Sequence, residues 1–440
     1  MTKRFSRGAL RALSRALSGV LCAAAVLGLA ACDLDLINPN APSEEEVLGS
    51  SDLLLTTAVG IQAQYAENLN LFLRAPALVT DEWGTRSLAL AADVSLVTGT
   101  PDPAFGVVSD PFAAAYRIAR TADILVANAP GLSLGAGLQA GVTSLSRLLK
   151  AMALGHIYIQ YERAPVNFDP NGAVPQPRAV VLDTVISILE AARSDVATVP
   201  DADLAGFRSR VLGTGFDLRN TTDAMLARYY LFDGRYQNAI DAAGRVNLGV
   251  LSVLSYPNPG INPVYNYSVL AQYTGTRKSF FTEAQPGDQR PAYWANRSTG
   301  YSGNPPTVID SVFAFRQYSN RNDPYPLYLP DEMRLVQAEA YTRLGNLAQA
   351  RTLVNTVRTQ CSSALNEPMA CLPALPVTAL DTEAELLTEI LYQRRYELYA
   401  QGLRWEDLRR LQQYTTRRPS IPFLPYPQSE CDRNPAQPCG

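Results

Sequence analysis

Ala227, Tyr230, Gly234 and Ala239 stand at steps of three, four and five residues, and Ala338, Tyr341, Gly345 and Ala350 repeat those residues at those steps. This doubled pattern constrains the fold more than any other feature of the chain. Each copy (221–243, TTDAMLARYYLFDGRYQNAIDAA, and 332–354, EMRLVQAEAYTRLGNLAQARTLV) has small alanines that let two helices approach closely. A tyrosine fills the interface, and a glycine allows the tight turn between the helices. The spacing is that of the tetratricopeptide motif, a helical hairpin. The copies lie 111 residues apart, so the chain is not a simple tandem array. Long insertions separate the hairpins, and insertions in repeat folds gather on one face, often the binding face.

Other segments extend the helical reading. Residues 51–73, 111–129 and 145–162 carry apolar residues at three- and four-residue spacing. Residues 251–330 break that rhythm. They hold 14 of the 38 Phe, Trp and Tyr residues, set among Pro, Gly, Asn and Ser. The expectation is a loop-rich insertion with short strands, ordered by its aromatics.

The N-terminus sets the location. Lys3, Arg4, Arg7, Arg11 and Arg15 precede an uncharged apolar run from Leu17 to Ala31, followed by Cys32. A basic head, an apolar run of about fifteen residues and small residues before the cut describe an export signal, too short for a membrane span. Cysteine at that position is the lipoprotein form of the cleavage site. The expected division is a signal peptide at 1–31, a lipidated tether at 32–50 and the body at 51–440. Acylated Cys32 is the expected membrane anchor, since stable anchoring needs more than one acyl chain. An ordinary secretory signal is the alternative. Removing residues 1–31 takes away five basic groups and no acidic one, moving the formal charge from −3 to −8. That balance attracts no phosphate backbone, so nucleic acid is not an expected partner.

Four cysteines remain after Cys22 leaves and Cys32 is acylated: Cys361, Cys371, Cys431 and Cys439. An even number in an exported chain points to disulfides. Three connectivities are possible, and proximity favours Cys361–Cys371 and Cys431–Cys439; free buried thiols are the alternative. The only histidine, His156, is far from both pairs and sits in a helical pattern, so neither a zinc site nor a histidine-dependent triad is expected. No cofactor motif is present.

Residues 393–410 (QRRYELYAQGLRWEDLRR) closely resemble the Arg-Arg-x-Glu-Leu…Gly-x-Arg-Trp-x-Asp-Leu-Arg-Arg signature of the SusD/RagB family. Asn-Pro-Asn after Cys32, the Asp288-Gln289-Arg290 element, residues 325–345 and the ending 423–435 (FLPYPQSECDRNP) also resemble that family. The paired cysteines are not part of its pattern. Physically, 393–410 reads as two helices joined at Gly402, with Glu397 and Asp407 within reach of Arg394, Arg395, Arg404 and Arg409. Charges placed so are expected to stabilise the fold.

The resemblance implies a mostly α, single tetratricopeptide-like domain with a loop-rich subdomain. It also implies a lipoprotein of the outer membrane, facing the exterior, that binds a glycan or a peptide. Its implied partner is a TonB-dependent, SusC-like transporter, to which the nutrient is handed without covalent chemistry. The ligand site is implied to lie on the insertion loops. Trp83, Arg86, Tyr293, Trp294, Asn296, Arg297, Tyr301 and Tyr318 are the candidates, because an aromatic face packs on a pyranose while Asn and Arg take its hydroxyls. Core packing is the competing role for each aromatic. Two other functions compete: a protein-binding adaptor, and a surface glycosidase using two carboxylates.

Overall fold

Helices dominate the computed structural model, which describes residues 49–168, 172–412 and 421–434. Cys32 and Cys439 lie outside those residues. The principal helices are α1 (Ser51–Glu67), α2 (Leu69–Val79), α3 (Gly106–Asn128), α4 (Ala136–Gln160), α5 (Arg178–Ala197), α6 (Leu218–Phe232) and α7 (Tyr236–Arg245). They continue as α8 (Pro330–Arg343), α9 (Leu347–Thr359), α10 (Glu383–Glu397) and α11 (Arg404–Arg410). From α3 to α8 each helix packs on the next in chain order, and α8 then packs on both α9 and α10.

The two predicted hairpins are α6–α7 and α8–α9. Ala227, Ala239, Ala338 and Ala350 are all wholly buried, as close helix approach requires. Gly234 and Gly345 turn the hairpins with φ of 75° and 79°, the left-handed region that a Cβ disfavours. Side chains define where these helices start. Asp217 Oδ1 accepts from the Asn220 N–H ahead of α6, and Thr382 and Glu385 form a capping box on α10. A cap of this kind is worth about 1 kcal/mol. The first predicted helix is interrupted: Asn68 separates α1 from α2 and donates its side-chain amide to Gln64 O.

The 251–330 insertion holds more regular structure than its sequence suggests. Its two ends are tied together where Val253 and Leu254 pair with Pro326 and Tyr325. Between them run β2 (Thr274–Arg277), β3 (Ala295–Ser302) and β4 (Ser311–Phe315). The fourth strand of the sheet, β1 (Trp83–Thr85), comes from nearly two hundred residues earlier and pairs with β2. The order is β1-β2-β4-β3, all antiparallel, so β3 forms an edge and shifts register between Asn296 and Gly300.

The 393–410 motif forms α10 and α11 with a turn in which Ala400 and Gly402 both take positive φ. Asp407 is buried between Arg394 Nε at 2.8 Å and Arg410 Nη2 at 2.9 Å, and Arg410 also binds Glu339 of α8. Burial would raise the Asp407 carboxyl, but Arg394 and Arg410 outweigh it and hold the group below its ordinary value. One expected pairing is corrected: Glu397 faces Arg290 at 3.6 Å, outside the motif, while Arg395 reaches Glu283 at 2.6 Å. Burial, then repulsion from Asp331, raises the Glu397 carboxyl well above the carboxylate range.

His156 is a packing residue. Its ring stacks on Phe72 at 4.6 Å, and its Nε2 lies 2.8 Å from the Tyr65 hydroxyl. Burial, then the nearby Arg228, pulls it down to about 3, so it is neutral. Cys361 and Cys371 form a disulfide. Cys431 is also disulfide-bonded, but the Cys431–Cys439 pairing falls partly outside the described residues. No helix among the described residues is long and apolar enough to cross a membrane.

Candidate functional site

The short segment before β3 decides how the insertion docks. Arg290 is fully buried and grips Asp288 with two nitrogens, Nε at 3.0 Å and Nη2 at 2.7 Å. It also donates to Gln393 O on α10 at 3.3 Å, and the Tyr392 hydroxyl donates to Asp288 at 2.8 Å. Four residues on, Trp294 Nε1 donates to Tyr396 O at 2.8 Å. The Asp-x-Arg element and the Arg-Arg-x-Glu-Leu signature are therefore two halves of one joint. It fixes the short helix Arg290–Trp294 and sets the direction of β3.

Above that joint lies a cleft of about 640 Å³, floored by Pro291, Ala292 and Ala295. The half-buried ring of Phe281 forms one wall, braced edge-on against Phe313 at 5.1 Å. Asn296, Arg297, Ser298 and Arg316 stand at its rim and are exposed. Arg316 donates one nitrogen to Ala292 O at 3.0 Å, and Arg297 lies 5.9 Å from the Phe281 ring centre. Two further polar residues are already engaged: Asp288 by Arg290, and Gln285 by Arg358 at 2.8 Å. Asn296 is partly turned on its own strand, where its Oδ1 accepts from the Ser298 N–H.

At the other end of β3 the structure joins two candidates far apart in sequence. The Arg86 guanidinium lies over the Tyr301 ring at 3.4 Å and donates to Gln272 Oε1 at 3.0 Å. Burial lowers the Arg86 group from its ordinary value, with Tyr301 opposing the shift. Tyr301 is half-buried and keeps part of its surface open.

Three candidates are corrected. Trp83 is wholly buried with its ring edge-on to Phe315, Trp294 is 1% exposed, and Tyr318 is 3% exposed against Trp294 and Tyr325. None presents a face that a sugar could cover, because the sheet and α10 close over them. Tyr293 is half-buried, does not line the cleft, and spends its hydroxyl on Asn366 O at 2.7 Å. Phe281 and Arg316 were missed by the sequence reading. The signal for Phe281 was available: of the adjacent pair Phe280-Phe281 only one can face the core, and Phe280 does.

A second cavity of about 540 Å³ lies between Tyr116, Phe168, Glu430 and Arg433, and contains none of the sequence candidates. No group of three or more His, Cys, Asp or Glu side chains able to hold a metal occurs among the described residues.

The SusD family model matches residues 265–421, a span that includes the cleft, the joint and α11. Among solved structures, a laminarin-binding SusD-like protein is 16% identical, with 87% of this chain and 96% of that chain covered at a TM-score of 0.64. A SusD superfamily protein from Bacteroides vulgatus ATCC 8482 is 16% identical, with coverages of 88% and 99% and a TM-score of 0.65. A SusD-like carbohydrate-binding protein from Bacteroides fragilis NCTC 9343 is 12% identical, with coverages of 88% and 99% and a TM-score of 0.65. At these identities the likeness is one of fold. No curated protein matches the sequence.

Proposed function

We propose that this member of the SusD/RagB family is a cell-surface protein that captures a glycan in the β3 cleft. It then hands the glycan to a TonB-dependent, SusC-like transporter of the outer membrane. The observation that carries capture is the cleft itself. One aromatic wall, Phe281, faces a rim of Asn296, Arg297, Ser298 and Arg316, within the segment that the family model matches. Binding sites combine such an apolar wall with a few placed polar groups. Tyr301, at the far end of the same strand, keeps part of its surface open to a longer chain of sugars, with the buried Arg86 guanidinium behind its ring. Hand-over rests on the resemblance of the C-terminal signature, and the surface location on the lipoprotein reading of Cys32. The role needs no covalent step.

Calorimetry against a panel of glycans and peptides tests capture. Wild-type protein is expected to bind a glycan, and Phe281→Ala to weaken that binding by about ten- to thirty-fold with an unchanged melt, the scale of one lost aromatic platform. A wild type that binds no glycan overturns the reading. Affinity purification from solubilised outer membranes tests hand-over, with a TonB-dependent transporter as the expected partner.

A further inference from the structure

Several exposed arginines of this protein are paired with carboxylates. Arg193 and Arg245 share Asp223, Arg208 and Arg219 share Asp201, and Arg235 binds Asp183. Arg297 and Arg316 are not so paired, and they stand together at one cleft. Among the described residues neither has a carboxylate within 4.0 Å, although both line one cleft in a chain with a formal charge of −3. The acidic groups that could neutralise them are committed elsewhere. Asp288, the only acid lining the cleft, is held by two nitrogens of Arg290, and Glu283 is held by Arg395. The only hydrogen bond from the Arg316 guanidinium among the described residues is one nitrogen given to Ala292 O. That bond fixes the group at the rim and leaves its remaining donors free.

We infer that the cleft is selective for an anionic saccharide, one carrying carboxylate or sulfate groups, with Arg297 and Arg316 as the residues that take the charge. This deepens the glycan-capture reading and rests on it. A guanidinium presents its donors as a planar fork that matches carboxylate or sulfate oxygens two at a time, and such charge-assisted pairs are roughly twice as strong as neutral ones. A neutral sugar offers only hydroxyls and would leave two guanidiniums at the cleft without a counter-charge. An acidic residue instead neutralises them, while its pyranose ring lies on Phe281.

The test is calorimetry with size-matched oligosaccharides: an oligogalacturonate, a sulfated carrageenan oligosaccharide and a neutral laminarin oligosaccharide. At least one anionic probe is expected to bind more tightly than the neutral one, and the better of the two identifies the charged group. Arg297→Ala and Arg316→Ala should each weaken that probe by at least about tenfold, with melts unchanged. Raising salt from about 0.05 to about 0.5 M should weaken it while leaving any neutral binding in place. Tighter binding of the neutral probe, unaffected by either substitution, overturns the charge selectivity and leaves capture standing. Equal binding of polyglutamate overturns the saccharide part, and binding of no saccharide at all overturns capture and this inference together.

Discussion

Asp407 and its arginines, and the two arginines of the β3 cleft, show the same side chain in opposite circumstances. In the C-terminal layer Arg394 is buried and Arg410 largely covered, and each is matched to Asp407. At the cleft Arg297 and Arg316 are exposed and meet no carboxylate among the described residues. A buried arginine without a partner carries a heavy desolvation cost, so pairing there is a condition of folding. An exposed arginine carries no such cost, and its free donors remain available to a ligand. Pairing, more than residue type, separates these scaffold arginines from those of the candidate site.

Substitutions can break that contrast. The largest effect is expected at Asp407→Ala, which strands the buried Arg394 guanidinium and leaves Arg410 only Glu339, and should cost about 3–5 kcal/mol in chemical denaturation. A loss under about 1 kcal/mol would mean that the network contributes little. Trp294→Ala should follow closely, at about 3–5 kcal/mol for a core aromatic, with the cleft lost through unfolding rather than through a missing contact. An unchanged melt with weakened ligand binding would return Trp294 to the site.

A smaller effect depends on pH. His156 has a folded-state value of about 3 against an ordinary 6.5, so below 6.5 the unfolded chain binds more protons. Its contribution is complete above pH 6.5 and falls as pH drops toward 3. At pH 5 the loss is about 2 kcal/mol, from about 1.4 kcal/mol per unit. The stability difference between wild type and His156→Gln should therefore shift by that amount between about pH 7.5 and pH 5, in favour of the variant. A difference that does not vary with pH would show the imidazole to be accessible to protons. The smallest effect belongs to Arg297→Ala, expected to stay within about 0.5 kcal/mol because nothing in the fold depends on it. A large loss there would erase the contrast between the two regions.

Much of the helical layer was legible locally. The alanine, tyrosine and glycine spacing of 221–243 and 332–354 encodes helix, interface and turn within some twenty residues, and both hairpins form. The Cys361–Cys371 bond was legible for the same reason, since proximity in sequence restricts the search. The site was legible only in part. Asn296 and Arg297 reach the cleft rim, and Arg86 meets Tyr301. The tryptophans were misread because composition shows that a loop is aromatic but not which rings are covered.

The sequence by itself thus determined the repeated hairpins, the aromatic insertion and the signature that fastens it, because each is written in short-range spacing. Only the tertiary structure decided that residues 83–85 complete a sheet with the insertion, that Trp294 is sealed by a carbonyl 102 residues away, and that Phe281 is left open. Burial is a property of the surfaces that meet across the fold. Two adjacent phenylalanines can therefore take opposite roles according to what packs on each from far along the chain.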